Sequence, residues 1–301
     1  LLGLASFVGL GAGERWIDPI SPVTHIDAVI LWELRLPRVV AALAVGALLA
    51  LSGAWLQVLL GNPLAEPYVL GIAGSASAGA ILALALGAGS GWPASAGAFG
   101  GACVGIAALV PLRRLGPTRL LLAGVVLASF WGAFVTLLLA LLPERQLGRA
   151  IGWMMGDLAS VGLASAPLAV TAVAAVAAGI VLANPLDRLL LGETHAGMLG
   201  TPVERVRWIV LLLASAATAI AVTAAGTIGF VGLVVPHLVR AWWGPMHARL
   251  LPAAAIAGGV LLLLADTAAR TWIAPAELPV GVITALIGVP VFVWLLARRA
   301  G

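Results

Sequence analysis

Residues 52–71 read SGAWLQVLLGNPLAEPYVLG: an apolar run stops at Gly61, turns through Asn62-Pro63-Leu64-Ala65-Glu66-Pro67 and starts again. Two prolines around a short polar turn end one helix and begin the next. The flanking runs, 37–60 and 67–88, have the roughly 20 apolar residues that a bilayer crossing requires. Working outward, the same alternation marks runs at 1–13, 93–111, 118–142, 162–183, 205–224, 226–243, 250–269 and 278–297. The expectation is a single polytopic domain over 1–301, all-α, with about ten spans and short connectors.

Composition agrees. The chain is 62% hydrophobic and 9% charged, against about 25% charged residues in soluble domains. That is too little charge for a water-facing surface of this size, so apolar surface must face lipid. Many runs are rich in Gly, Ala and Ser, as in GIAGSASAGA at 71–80, which lets helix backbones approach closely. Run 1–13 is short for a span. It reads either as a signal-peptide core or, preferably, as a first span whose start precedes this numbering, since no small-residue cleavage site leads into Glu14-Arg15.

Every basic residue is Arg; there is no Lys. A phosphate-binding P-loop needs its Lys and a Schiff-base enzyme needs a Lys amine, so an ATP-driven machine would take its ATPase from another chain. The net charge of +4 reflects topology rather than nucleic-acid binding. Connectors after runs two, four, six and eight, with the C-terminus, collect Arg113, Arg114, Arg119, Arg188, Arg205, Arg207, Arg240, Arg249, Arg298 and Arg299. The opposite side has Arg15, Arg35, Arg38, Arg145, Arg149 and Arg270. The positive-inside rule puts the first group, and both termini, in the cytoplasm. We call that side inner and the other outer.

The lone Cys103 permits no intrachain disulfide and is expected to be a small packing residue. His25, His195, His237 and His247 are scattered, with no ligand spacing. No metal site, catalytic set or bound cofactor is expected.

Several polar stretches exceed what loops need. Arg35-Leu36-Pro37-Arg38 on the outer side is either an interfacial anchor, with Pro37 in the first helical turn, or a receptor for something acidic, because it opposes the charge bias. Asp266 and Arg270, four apart, share a helix face and can pair; an acid within a span is otherwise a functional candidate. Asn184-Pro185-Leu186 repeats the Asn62-Pro63-Leu64 tripeptide and opens connector 184–205, which is either a surface helix or a docking element. Thr201-Pro202-Val203-Glu204 reads as a capping box that starts the next span at Thr201.

The chain resembles the FecCD family of bacterial import permeases. The matching stretches are LRLPR (34–38), SGAWLQVLLGNPLAEPYVLG (52–71), RLLLAG (119–124), LGE (191–193), GTIGFVGLVVPHLVR (226–240), LLLLAD (261–266) and ELPVGVITALIGVPVFVWLL (277–296). They cover essentially the whole chain. The resemblance implies a type II ABC importer permease fold in the bacterial inner membrane. It also implies a second copy of the chain, two ABC ATPase subunits carrying ATP and Mg, and a periplasmic substrate-binding protein.

By the same resemblance, Arg35, Arg38 and Arg270 would receive acidic groups of the binding protein. The ATPase would couple through Leu186, Asp187, Arg188, Leu189, Leu190, Leu191, Gly192, Glu193, Thr194, His195, Met198 and Leu199. Asn62 and Leu64, with Gly116, Pro117 and Thr118, would line the inner gate, although relatives carry small hydroxyl residues where this chain has Gly-Pro before Thr118. The family's cargoes are bulky metal chelates; heme is placed first, then cobalamin, then ferric siderophores. The rival reading is a secondary transporter or channel, for which a midplane charge would be expected; Asp266, beside an Arg, argues against it.

Overall fold

The central element is α2, His25–Leu59, whose apolar window is 89% buried by the rest of the chain. The computed structural model describes all residues except Leu1, Glu14, Val23, 88–91, Ser160, 162–164, Pro275, Ala300 and Gly301. The expected run limits at 1, 88 and 162, and the side chains of Arg113, Arg114, Arg298 and Arg299, lie outside the described residues.

The described residues form helices joined by turns and irregular connectors, with no strand among them. In order they form α1 Leu2–Gly11, α2, α3 Ile72–Ala85, α4 Trp92–Leu109, α5 Pro117–Leu141, α6 Glu144–Met154, α7 Ser165–Val181, α8 Ala183–Leu189, α9 Glu193–Met198, α10 Val203–Ala225, α11 Val231–Trp243, α12 His247–Thr271 and α13 Val280–Arg299. Ten of these match the ten apolar runs. Helices α2, α4, α5, α10 and α12 are each long and apolar enough to cross a membrane, and α7 with α8 makes a pair bent by 58°. Helices α1 and α3, and the Val280–Leu295 part of α13, are shorter apolar helices.

Helix α2 packs against α7, α10, α11 and α12, with Leu48, Leu49, Leu51, Trp55 and Leu56 fully buried. Glycine makes the closest crossings possible. Gly46 faces the Gly258 carbonyl of α12, and Gly53 faces the Gly232 carbonyl of α11. A Cβ at either would land on backbone, so the helices could touch only with these positions bare. Ser52 completes the seam, its Oγ donating to the Ala214 carbonyl at 2.8 Å.

Four local expectations are corrected. Helix α2 begins at His25 rather than at Pro37, because Thr24 and Asp27 form a reciprocal capping box. Residues 30–35 then take a π-turn in which the Leu36 N–H bonds the Leu31 carbonyl, and this wider register accommodates Pro37 inside the helix. Helix α10 begins at Val203 with no side-chain cap; Thr201 Oγ1 instead accepts from Arg188 at 3.4 Å, so the box expected at Thr201 does not form. Cys103 is exposed on α4 rather than packed inside.

The fourth correction concerns continuity. Runs 67–88 and 226–243 are interrupted at their starts. Residues Pro67–Leu70 form a 3-10 turn ending in left-handed Gly71, and 226–230 are irregular, ending in Phe230 at φ 68°. Helices α3 and α11 are therefore half-length, and the breaks that precede them meet, Glu66 with Phe230 and Tyr68 with Ile228. Helix α6, with four charged or amide side chains in ERQLGRAIGWM, was too polar to register as a run.

Candidate functional site

Three polar regions stand out, one at each end of the bundle and one between. At the outer end, Asp266 is fully buried near the end of α12. The expected i, i+4 partner is present: Arg270 Nε lies 3.3 Å from its carboxylate. A second cation completes the pair from the other side of the chain, Arg38 Nη2 at 2.9 Å. Arg38 also donates Nη1 to Glu277 at 2.9 Å.

Other donors of this cluster go to backbone carbonyls of the chain around α1. Arg35 Nη1 donates to the Leu10 and Gly11 carbonyls at 2.8 and 2.6 Å. Arg270 donates to the Ala12 and Gly9 carbonyls at 3.0 and 2.5 Å. The last carbonyls of a helix have no intrahelical partner and carry the negative end of its dipole, so two guanidiniums close the end of α1. Arg35 and Arg270 are thus 9% and 8% exposed and turned inward. Arg38 lines an outer cavity of about 270 Å³ with Asp157, Asp266 and Glu277. Three guanidiniums thus face Asp266 and Glu277, with a third carboxylate, Asp157, on the same cavity.

Between the ends, the two helix breaks lock together. The Phe230 N–H donates to Glu66 Oε1 at 2.6 Å, and the Ile228 N–H to the Tyr68 hydroxyl at 2.5 Å. Non-helical backbone at membrane depth is tolerated only where protein or a water-lined cavity satisfies it; here side chains of the 66–68 turn do so. A cavity of about 310 Å³ opens beside the breaks, lined by Tyr68, Ser77, Thr227 and Gly229 among others.

The inner end gathers the remaining predicted residues. Asn62 Oδ1 accepts from the Leu64 N–H at 2.9 Å, which tightens the 60–66 turn, and Leu64 is exposed. Gly116 precedes Pro117 at the start of α5, and Thr118 is exposed. Along the 186–199 segment, Leu186 is buried and anchors α8, and Asp187 accepts from the backbone N–H of His247 at 2.9 Å. Arg188 Nη1 donates to the Leu199 carbonyl at 3.1 Å, and Leu189 packs half-buried. Left-handed Gly192 makes the elbow. Leu190, Leu191, Glu193, Thr194, His195, Met198 and Leu199 are exposed, Met198 to 80%. A cavity of about 630 Å³ touches the 60–66 turn at Gly61 and Pro63, helix α5 at Pro117, and this segment at Leu190 and Glu193. Among the described residues, no three His, Cys, Asp or Glu are placed to hold a metal.

The arrangement is a bundle with a charged outer face, broken helices within and an exposed apolar segment at the inner end. A family description named the FecCD transport family matches residues 1–298. The chain belongs to that family. It is 40% identical to the vitamin B12 import system permease protein BtuC of Salmonella typhi over 304 residues, covering 100% of this chain and 93% of that one. The BtuC protein of Vibrio cholerae is 41% identical over 292 residues, 95% of this chain and 88% of that one. A solved structure of a metal-chelate type ABC transporter in an inward-facing conformation superposes with TM-score 0.87 at 32% identity, covering 99% and 96% of the two chains. The PsaBC structure from Streptococcus pneumoniae, bound to a Fab, shares the fold alone: TM-score 0.61 at 15% identity, with 89% and 92% covered. The fold is that of a type II ABC importer permease, in a multi-pass membrane protein.

Residue reading missed Glu277, Glu66, Tyr68 and the Asp187–His247 contact. Each acts on a partner more than fifty positions away, and no local spacing signals that.

Proposed function

We propose that this chain is the membrane permease of an ATP-driven importer that moves cobalamin or a similar bulky metal chelate across the bacterial inner membrane. The observation that carries the reading is full-length similarity, at about 40% identity, to permeases named for vitamin B12 import. It moves cobalamin ahead of heme, which the resemblance alone had placed first; ferric siderophores come third. ATP and Mg would be held by the ATPase subunits.

The pathway would form between two copies of the chain. Helix α5 supports this, because only 17% of its apolar window is covered by its own chain. Two ATPase subunits would dock on the exposed residues of 186–199. The 60–66 turn and the start of α5, which share a cavity with that segment, would form the inner gate. A periplasmic binding protein would dock at the outer end. There Arg38 is the contact best supported for an acidic partner, since Arg35 and Arg270 are engaged by α1 carbonyls.

The test is ATP-driven uptake in proteoliposomes containing the permease, its ATPase and its binding protein. Cobalamin, heme and a ferric siderophore are offered separately. Cobalamin uptake that needs ATP and the binding protein is the expected result. Uptake of heme alone would reassign the cargo, and uptake independent of ATP would overturn the importer reading.

A further inference from the structure

Arg207, one turn into α10, touches both parts of the inner end. Its Nη1 lies 3.1 Å from the Glu193 carboxylate, at the first residue of α9. Its Nη2 donates to the Leu115 carbonyl at 2.8 Å, immediately before Gly116 and Pro117 start α5. The side chain is 12% exposed and lines the 630 Å³ cavity that α5 shares with Leu190, Gly192 and Glu193. Glu193 and Leu115 are on segments far apart in sequence, and Arg207 is hydrogen-bonded or ion-paired to both.

A guanidinium is suited to such a bridge. It is planar and permanently charged, and its donors point in fixed directions, so two partners held by its two terminal nitrogens are held relative to each other. Hydrogen bonds to a charged group are roughly twice as strong as neutral ones, and this one is mostly removed from water. Its neighbour at the same end, Arg188, bonds Leu199 and Thr201, both of which precede α10, and so stays within the coupling segment and its exit. Asp187 ties the segment to α12 through His247, not to α5. Arg207 makes both contacts from the second turn of the 23-residue helix α10, so it is well placed to transmit a shift of α9.

We propose that Arg207 is a positioning residue that couples movement of the ATPase-docking segment to the inner gate, holding Glu193 of α9 and the Leu115 carbonyl before α5 in one bridge. The inference rests on the reading of 186–199 as the docking segment and of 116–118 as gate. A displacement of Glu193 driven by the ATPase pulls the guanidinium and, through it, the start of α5. Arg207 touches neither the cargo nor the nucleotide.

The test uses the permease–ATPase complex in nanodiscs, with Cys103→Ser and Thr118→Cys, so that maleimide labelling reports the gate. The parent is scored first for cobalamin uptake in proteoliposomes and for a labelling rate that differs between nucleotide-free and ATP–vanadate-trapped complex. In Arg207→Met, the ATPase should still copurify and hydrolyse ATP. The nucleotide-dependent change in labelling should disappear, and uptake should fall by roughly tenfold, the scale of one lost charge-assisted contact. Arg207→Lys, which restores the charge and a donor, should recover part of both, whereas a packing role would be served as well by Met. If Arg207→Met does not fold, Arg207→Gln decides by the same readouts. Unchanged labelling response and uptake would overturn the proposal, as would loss of ATPase copurification, which would make Arg207 an assembly contact. A parent that labels identically in both states would refute the gate assignment itself, and the bridge with it; that failure is told apart because it appears before Arg207 is altered.

Discussion

The outer and inner ends of the bundle carry similar charged groups and use them differently. At the outer end, Arg35, Arg38 and Arg270 find their partners within the chain, and Asp266 at their centre is fully buried. At the inner end, Glu193 is half-exposed and the apolar residues beside it, Leu191 and Met198, face outward. A buried ion pair costs most when one member is removed and its partner stays buried. An exposed residue costs the fold little, and its removal is felt by whatever docks on it. The outer cluster should therefore respond to substitution through stability, and the inner segment through assembly and transport.

The largest effect should come from Asp266→Ala. It strands Arg38 and Arg270 in a buried site, and breaking such a pair from one side costs about 3–5 kcal/mol. Thermal unfolding of the purified permease in detergent should show that loss, with Asp266→Asn costing less because an amide still accepts hydrogen bonds. A melting curve unchanged by Asp266→Ala would mean that the cluster does not hold the outer end together.

Helix crossings give the next effect. Gly53→Ala places a methyl group against the Gly232 carbonyl, where neither backbone can yield without separating α2 from α11. Overpacking of this kind costs about 1–3 kcal/mol. Gly132 on α5 has open space where a side chain would go, so Gly132→Ala should be neutral or stabilising by up to about 1 kcal/mol. If both substitutions had equal effects on melting, the close α2–α11 seam would be wrong.

The same contrast explains what the sequence could disclose. The ten apolar runs were legible because a span must bury its backbone polar groups in a helix and its side chains in lipid, and both demands are written locally as length and hydropathy. The Asp266–Arg270 pair was legible because helical spacing alone brings the two together. Arg38 joins them from 228 positions away, and no periodicity reports that. How far the breaks run, to Gly71 and to Phe230, was invisible for a related reason. Their residues are apolar enough to continue a span, and what stops the helices is Glu66 and Tyr68 capturing the Phe230 and Ile228 N–H groups from a distant segment. Pro37 misled in the opposite direction: it reads as a helix start, but the π-turn before it lets α2 continue through.

On the inner side, Leu191→Asp with Met198→Asp should leave the melting temperature nearly unchanged, since exposed substitutions usually fall within about 0.5 kcal/mol. ATPase copurification should nevertheless drop sharply. Normal assembly in that variant would remove 186–199 from the docking surface, and a large loss of stability would mean that the segment is part of the core.

A small effect on stability, and a direct one on docking, is expected for Glu277→Gln. Reversing Arg35, Arg38 and Arg270 together to Glu, the substitution the family resemblance suggests, would confuse docking with folding, because two of the three close the end of α1. Glu277 is half-exposed and, among the described residues, pairs with the outward side of Arg38, so neutralising it should cost less than about 1 kcal/mol of stability. It also removes the carboxylate that competes with an incoming acidic group for Arg38. Affinity for the binding protein should therefore rise, and it should fall more steeply with added salt than in the unsubstituted permease, because the site gains one unit of net positive charge, which is screened over about 10 Å at 0.1 M ionic strength. Titration of the binding protein against the permease in nanodiscs at two salt concentrations reads both quantities. An affinity and salt dependence unchanged by Glu277→Gln would mean that docking does not pass through Arg38, and would leave the whole outer cluster as a fastening for α1, α2 and α12.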